Sequence, residues 1–371
     1  MASIRSLLRR LNGPQTLGNS AWFWGFTLVL IIIAVMLPNF VSRYQVITAS
    51  SFFISAILAL SLCLIWGYCG ILSLGQASFY CIGGYAFGII GINTIDAHGN
   101  TWLAILGGIA VPAGAAMILG LMMFYRRLHG VYVAILTLVV SLLLGLFMRQ
   151  TADPAWHIGK AALGGMNGLK PLAPGDPQIP TITLGAGSLV AEFDGRQTSF
   201  YWLCLAVLVL VFLGLRLLVN SSFGYVMQAC REDLERAETF GYDVRRVQLV
   251  VFCLSGGIAG LAGTLYTAWG TYIHPDGFSV APNILVVIWV AVGGRKDMMS
   301  VIISTIALCW LSLQLASYGE ISLFVLGLIL VVAMLVAREG VVMTIGGWLG
   351  RWLAVPRRRG ITTDIRKVTG E

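Results

Sequence analysis

The chain has 371 residues, 58% of them apolar and 11% charged. Soluble domains carry about 25% charged residues, so this composition excludes an ordinary soluble domain. The net charge of +8 gathers at the chain ends and in short connections. That distribution follows a membrane and does not suggest nucleic acid as a partner.

Apolar runs long enough to cross a hydrocarbon core of about 30 Å recur along the chain. They do not alternate as barrel strands do. The expected fold class is all-α, a polytopic membrane protein of about ten transmembrane helices with broken or half-helices near glycine-rich segments. The first span is expected at 21–37, with Trp22 and Trp24 as interfacial anchors. No small-residue cleavage site follows Leu37-Pro38, so no cleavable signal peptide is expected.

Span two is expected at 46–66 and span three at 80–95, separated by the glycine-rich segment 67–79. Span four, 102–125, ends at Arg126-Arg127, and span five covers 131–148. The stretch 149–199 is rich in Gly and Pro and reads as a loop with turns and a short hairpin around 181–193. Span six is expected at 200–218, a charged loop at 220–247, and span seven at 249–270. A short apolar run, 284–292, is broken at Gly293-Gly294 and is too short for a comfortable full crossing, so a half-helix is an alternative there. The last spans are expected at 298–316 and 321–337.

If the short run crosses, both termini lie in the cytoplasm and about 19 of the 24 Lys and Arg fall on that side. The expected organisation is a cytoplasmic N-terminal segment (1–20), a transmembrane domain (21–337) and a basic cytoplasmic tail (338–371) carrying Arg351, Arg357, Arg358, Arg359, Arg366 and Lys367. Within that domain, 149–199 faces the periplasm and 220–247 the cytoplasm.

Catalytic signatures are missing from the sequence. It has no GxxxxGK[ST] phosphate loop, no HExxH and no GxSxG. The histidines, at 98, 129, 157 and 274, are scattered singly. The seven cysteines are odd in number and form no CxxC pair, which favours packing over a disulfide or metal site. Few ionisable residues fall inside the spans, which argues against a proton relay. A path for a neutral or zwitterionic solute, powered from elsewhere, suits this pattern better.

The segment 67–88 is polar for its depth. It reads as a broken helix beside a pathway, with Ser73, Gly75, Gln76 and Ser78 as lining. A small-residue packing seam without solute contact is the other reading. The second glycine-rich element, Ser255 to Gly263, has small-xxx-small spacing and reads as helix packing.

Nine of the seventeen residues from Cys230 to Arg246 are charged. Asp233 or Glu232 suits a helix N-terminus. Leu234, Ala237 and Phe240 recur at i, i+3 and i+6 as a narrow apolar stripe, and Gly241 marks a helix stop. A short amphipathic helix of this kind can seat in a partner's groove, although a merely solvated loop is equally consistent with the residues.

Glu235 to Gly241 (ERAETFG) resembles the E-A-A-x-x-x-G cytoplasmic loop of ABC importer permeases, departing at Arg236, where the pattern has alanine. Gly70 to Phe79 (GILSLGQASF) is similar to the G-x-L-S-L-G-[QH]-x-x-F segment of the branched-chain amino acid permease family, in its LivM-type half. Phe223 to Asp233 (FGYVMQACRED) resembles that family's FGR-x-x-x-A-x-R-[ED]-[ND], with Tyr225 in place of arginine, and Gly260 to Tyr266 matches its following helix. Leu64 to Tyr68 and Val287 to Arg295 look closer to the family's urea and short-amide branch, with Lys296 and Asp297 departing from it.

The resemblance implies a transmembrane subunit without its own ATPase site or cofactor, in a bacterial inner-membrane importer of branched-chain amino acids, urea or short amides. It implies a second, LivH-type permease, two cytoplasmic ATPases that hydrolyse ATP, a periplasmic solute-binding protein and surrounding lipid as partners. Asp233, Leu234, Glu235, Ala237, Phe240 and Gly241 would then couple to an ATPase. A stand-alone channel or facilitator is the alternative.

Overall fold

The computed structural model describes residues 11–13, 16, 21–153, 156–170, 178–186, 189–315, 325 and 327–328. Among these, eight helices are long and apolar enough to cross a membrane, and a ninth apolar helix is shorter. The long ones are α1 (Ala21–Phe40), α2 (Arg43–Leu62), α3 (Gln76–His98), α4 (Trp102–Phe124), α5 (Val131–Gln150), α6 (Thr198–Val219), α9 (Val244–Gly270) and α11 (Met298–Leu315). The shorter one is α10 (Val280–Gly293). Two small helices, α7 (Ser222–Glu232) and α8 (Leu234–Thr239), lie between α6 and α9. The expected segments 1–20 and 338–371 lie outside the described residues, save for positions 11–13 and 16. So does the last expected span, 321–337, apart from positions 325, 327 and 328.

The structure refines several boundaries. Span two runs past its expected end through a π-helical turn, Cys63–Tyr68. The break in the glycine-rich segment is confined to 70–75, and the glycines from Gly83 onward are helical within α3. The short run begins earlier than expected, at Val280, and its 14 residues reach about 21 Å at about 1.5 Å per residue. That is shorter than a hydrocarbon core of about 30 Å, but the segments flanking the helix reach opposite ends of the bundle, Asp276 beside Arg149 and Lys296 beside Tyr68. Span seven also starts earlier, at Val244, because the Asp243 side chain accepts from the Arg246 backbone N–H at 3.3 Å and caps the helix. The hairpin is present as β3 (Ile182–Ala186) paired antiparallel with β4 (Leu189–Phe193). It is preceded by the two-residue pair β1 (His157–Ile158) and β2 (Ala161–Ala162).

Burial sorts the helices into a centre and a rim. About two thirds of the Arg43–Tyr68 span is buried, against 6% of α1 and 22% of α4. A helix apolar on all sides belongs either in a core or against lipid, and here α2, α3 and α9 form the core while α1 and α4 face outward. The seam expected from Ser255 to Gly263 sits in that core. Pro112 inside α4 has no N–H for the carbonyl of Gly108. Gly260 of α9 packs against both Gly108 and Pro112, and Gly83 of α3 packs against Gly260. A Cβ at Gly263 would collide with the Tyr80 carbonyl of α3.

Connections pair at two opposite ends of the bundle. At one end Arg149 bonds Asp276 at 2.7 Å, Lys160 bonds Asp96 at 2.6 Å, and Arg43 Nη2 donates to the Arg196 carbonyl at 3.0 Å. At the other, Arg231 donates to the Gly67 carbonyl at 2.8 Å and Tyr68 to the Lys296 carbonyl at 2.9 Å. Each pairing joins segments that alternate crossing requires to share a side.

The seam generates a paired prediction. Gly263→Ala should lower the unfolding temperature of detergent-purified protein, by an overpacking cost of about 1–3 kcal/mol. Gly257→Ala, where a Cβ meets Ala113 and Ile109 at an ordinary 3.6 Å, should leave it unchanged or raise it. Equal melting of the two variants would contradict the seam.

Candidate functional site

The charged segment folds into a short, doubly stopped helix. Ser221 Oγ accepts from the Gly224 N–H at 3.4 Å and starts α7. Asp233 has extended backbone, φ −159° and ψ 110°, which ends α7 and begins α8. Its Oδ1 accepts from the Arg236 N–H at 3.1 Å, and its Oδ2 pairs with Arg236 Nε at 2.9 Å. The residue that departs from the importer pattern therefore clamps its own helix cap. Exposed pairs of this kind contribute little stability, about 0.2–1 kcal/mol, so the clamp chiefly sets direction.

The other end of α8 closes on Gly241, whose φ is +88°. Its N–H donates to the Glu238 carbonyl at 2.9 Å, and the Tyr242 N–H donates to the Ala237 carbonyl at 3.3 Å. This double bond pattern needs a left-handed residue at Gly241.

The expected stripe divides. Ala237 is buried with Cys230 and Val244, and Leu234 packs beside them. Phe240 is 80% exposed. The helix stops at Thr239, so the i, i+3 progression does not carry Phe240 onto the inner face. Glu235, Glu238, Phe240 and Gly241 face outward, joined by Tyr242. Burial pushes the Cys230 thiol up, and Cys230 packs with Ala237 and Val244.

Ser73, Gln76 and Ser78 are all buried. Side chains from four other helices meet the segment from Leu74 to Ser78 at the start of α3. Gln76 Nε2 donates to Ser61 Oγ and Ser255 Oγ, each at 2.8 Å. Asn283 Oδ1 accepts from the Ala77 N–H at 2.9 Å, and its Nδ2 donates to Ser141 Oγ at 3.0 Å. Ser78 donates to Ser141. The Leu74 N–H donates to Thr137 Oγ1 at 3.1 Å, and the Gly75 N–H to Ser73 Oγ at 3.4 Å. Gln76 Oε1 is buried without a hydrogen-bond partner, which costs about 1–3 kcal/mol while it stays unpaired.

Sequence reasoning did not select Ser61, Thr137, Ser141, Ser255 or Asn283. The only signal available was a small polar residue inside or beside an apolar run, and several runs hold more than one, as α5 holds both Thr137 and Ser141. Among the described residues no cluster of His, Cys, Asp or Glu suits a metal ion. A cleft of about 770 Å³ opens between α1, α2, α6 and α11, lined largely by apolar side chains. A smaller cavity of about 90 Å³ lies beneath the junction of α7 and α8. Neither is lined by Ser73, Gly75, Gln76 or Ser78.

The chain is 30% identical over 350 residues to the high-affinity branched-chain amino acid transport system permease protein LivM of Escherichia coli, covering 90% of this chain and 79% of that one. It is 29% identical over 333 residues to the LivM protein of Salmonella typhimurium, covering 85% and 74%. A stretch of 60 residues is 40% identical to a probable branched-chain amino acid transport permease protein LivH of Methanocaldococcus jannaschii, covering 16% and 19%. No solved structure matches the chain. The family described as branched-chain amino acid transport system / permease component matches residues 45–334. The multi-pass bundle, its glycine-rich break and its charged helical turn thus belong to a LivM-type member of that permease family.

Proposed function

We propose that this chain is the permease subunit of an ABC importer for branched-chain amino acids in a bacterial inner membrane. The observation that carries the reading is α8. It is stopped at both ends, anchored by Ala237, and presents Glu235, Glu238, Phe240 and Tyr242 outward. An aromatic pair on a rigid, acidic turn suits a groove on a partner better than it suits solvent. Separate cytoplasmic ATPases hydrolyse ATP and dock there, and the motion enters the bundle through α7 and α9. Both termini are cytoplasmic, a LivH-type permease completes the pair, and the 149–199 segment faces a periplasmic solute-binding protein.

The names of the LivM relatives support a branched-chain amino acid as the solute. The residues that suggest urea pack against one another. Trp66 stacks under the Arg295 guanidinium at 5.8 Å, and Gly67 packs on the Arg295 carbonyl, so both fragments belong to one packing joint. The path runs past the start of α3, where Ser73, Gly75, Gln76 and Ser78 meet α2, α5, α9 and α10. Gln76 Oε1 is the acceptor that a solute ammonium group takes as these helices part.

Three outcomes are expected. Gly241→Val should abolish uptake while membrane insertion is retained, because a β-branched residue at φ +88° costs the turn about 1–2 kcal/mol or more. Normal uptake in that variant counts against a coupling turn. Phe240→Cys should crosslink to a cysteine on the ATPase surface. In a strain lacking this chain, its return should restore labelled leucine uptake and leave urea uptake unchanged. Passive saturable uptake by the chain alone in liposomes overturns the importer reading.

A further inference from the structure

We propose that Arg231 is the positioning residue that carries movement of α8 into span two. The inference rests on the coupling role assigned to α8. Arg231 lies in the last turn of α7, two residues before the Asp233 cap. Its side chain is only 16% exposed, and Nη1 donates to the Gly67 carbonyl at 2.8 Å. Gly67 belongs to the π turn that ends span two. The last carbonyls of a helix lack partners within it and carry its negative dipole end. A guanidinium supplied from α7 satisfies one of them with a charge-assisted bond. The Arg231 stem also lies along Gly70, where a Cβ would stand 3.0 Å from Arg231 Cγ.

The π turn passes the contact onward. Tyr68 bonds the Lys296 carbonyl at 2.9 Å, and Cys63 Sγ donates to the Arg295 carbonyl at 3.5 Å. One side chain therefore ties the charged turn to the end of α2, and through it to the link between α10 and α11. The joint is not close-packed. The 90 Å³ cavity beside it is lined by Cys69, Gly70, Cys230, Arg231, Leu234 and Gln248, among others. Gln248 Oε1 is buried there without a partner. Glu232 is 3.9 Å from Arg231 and exposed, so it does not hold the guanidinium away from Gly67. A bonded arm beside unfilled space can rotate as a unit, pulling the end of span two with it.

The test uses the complete importer, with both permeases, the ATPases and the binding protein, in proteoliposomes. Leucine uptake and ATP hydrolysis are measured together for R231M, R231Q and R231K. R231M and R231Q should assemble and hydrolyse ATP within about twofold of the wild-type rate. Leucine moved per ATP should fall about tenfold, as loss of a charged hydrogen bond predicts, and R231K should recover much of it. R231M keeps the apolar stem, so it separates lost packing from the lost bond. Wild-type leucine per ATP in R231M overturns the inference. Failure of all three variants to assemble also overturns it, by making Arg231 a structural tie. Phe240→Cys crosslinking separates the two readings. Without a crosslink the coupling role of α8 falls as well, whereas a crosslink with unchanged R231M stoichiometry removes only the role of Arg231.

Discussion

A backbone that leaves the helix inside a bilayer must find its hydrogen-bond partners within the protein, because lipid offers none. This chain leaves the helix at 70–75 and, at one end of the bundle, at 294–297, and both stretches find partners on other elements. Thr137 and Asn283 accept from the N–H groups of Leu74 and Ala77. Arg231 and Tyr68 bond the carbonyls of Gly67 and Lys296. Packing of α5, α7 and α10 against α2 and α3 brings these side chains within reach, and without it neither break would be tolerated.

The same constraint joins the membrane interior to the charged segment outside it. The carbonyl end of span two meets a cation from α7, and α7 runs into α8 through the cap at Asp233. The proposed coupling thus runs from an exposed turn to a buried helix end. The glycine seam on the opposite face of α9 works in the other sense. Backbone packs directly on backbone at Gly83, Gly260 and Gly263, and the rings of Phe79, Phe124 and Phe252 interlock farther along the same three helices, α3, α4 and α9. These three helices are suited to move as one body.

Much of the architecture was legible in the residues. Nine of the expected apolar runs coincide with helices, since span length follows from bilayer thickness and needs no knowledge of neighbours. The turn at Asp233 and Gly241 was equally legible, because a cap and a left-handed stop are decided within a few residues. The helix start at Val244 was missed because charge in the loop outweighed the capping signal of Asp243. The stripe of Leu234, Ala237 and Phe240 divides because it presumes that the helix continues: the helix ends at Thr239, Leu234 and Ala237 pack inward, and Phe240 stays exposed.

Composition, span lengths and local stops were therefore set by the sequence itself: a many-span helical membrane protein with one rigid charged turn. Only the tertiary structure decided what each polar residue of the spans does. Gln76, Ser61 and Ser255 are far apart in the chain and meet through packing of α2, α3 and α9. Arg231 reaches Gly67 across 164 residues. Such partnerships leave no local pattern, because a hydrogen bond between helices depends on their rotation and depth, and those are settled by the packing of the whole bundle.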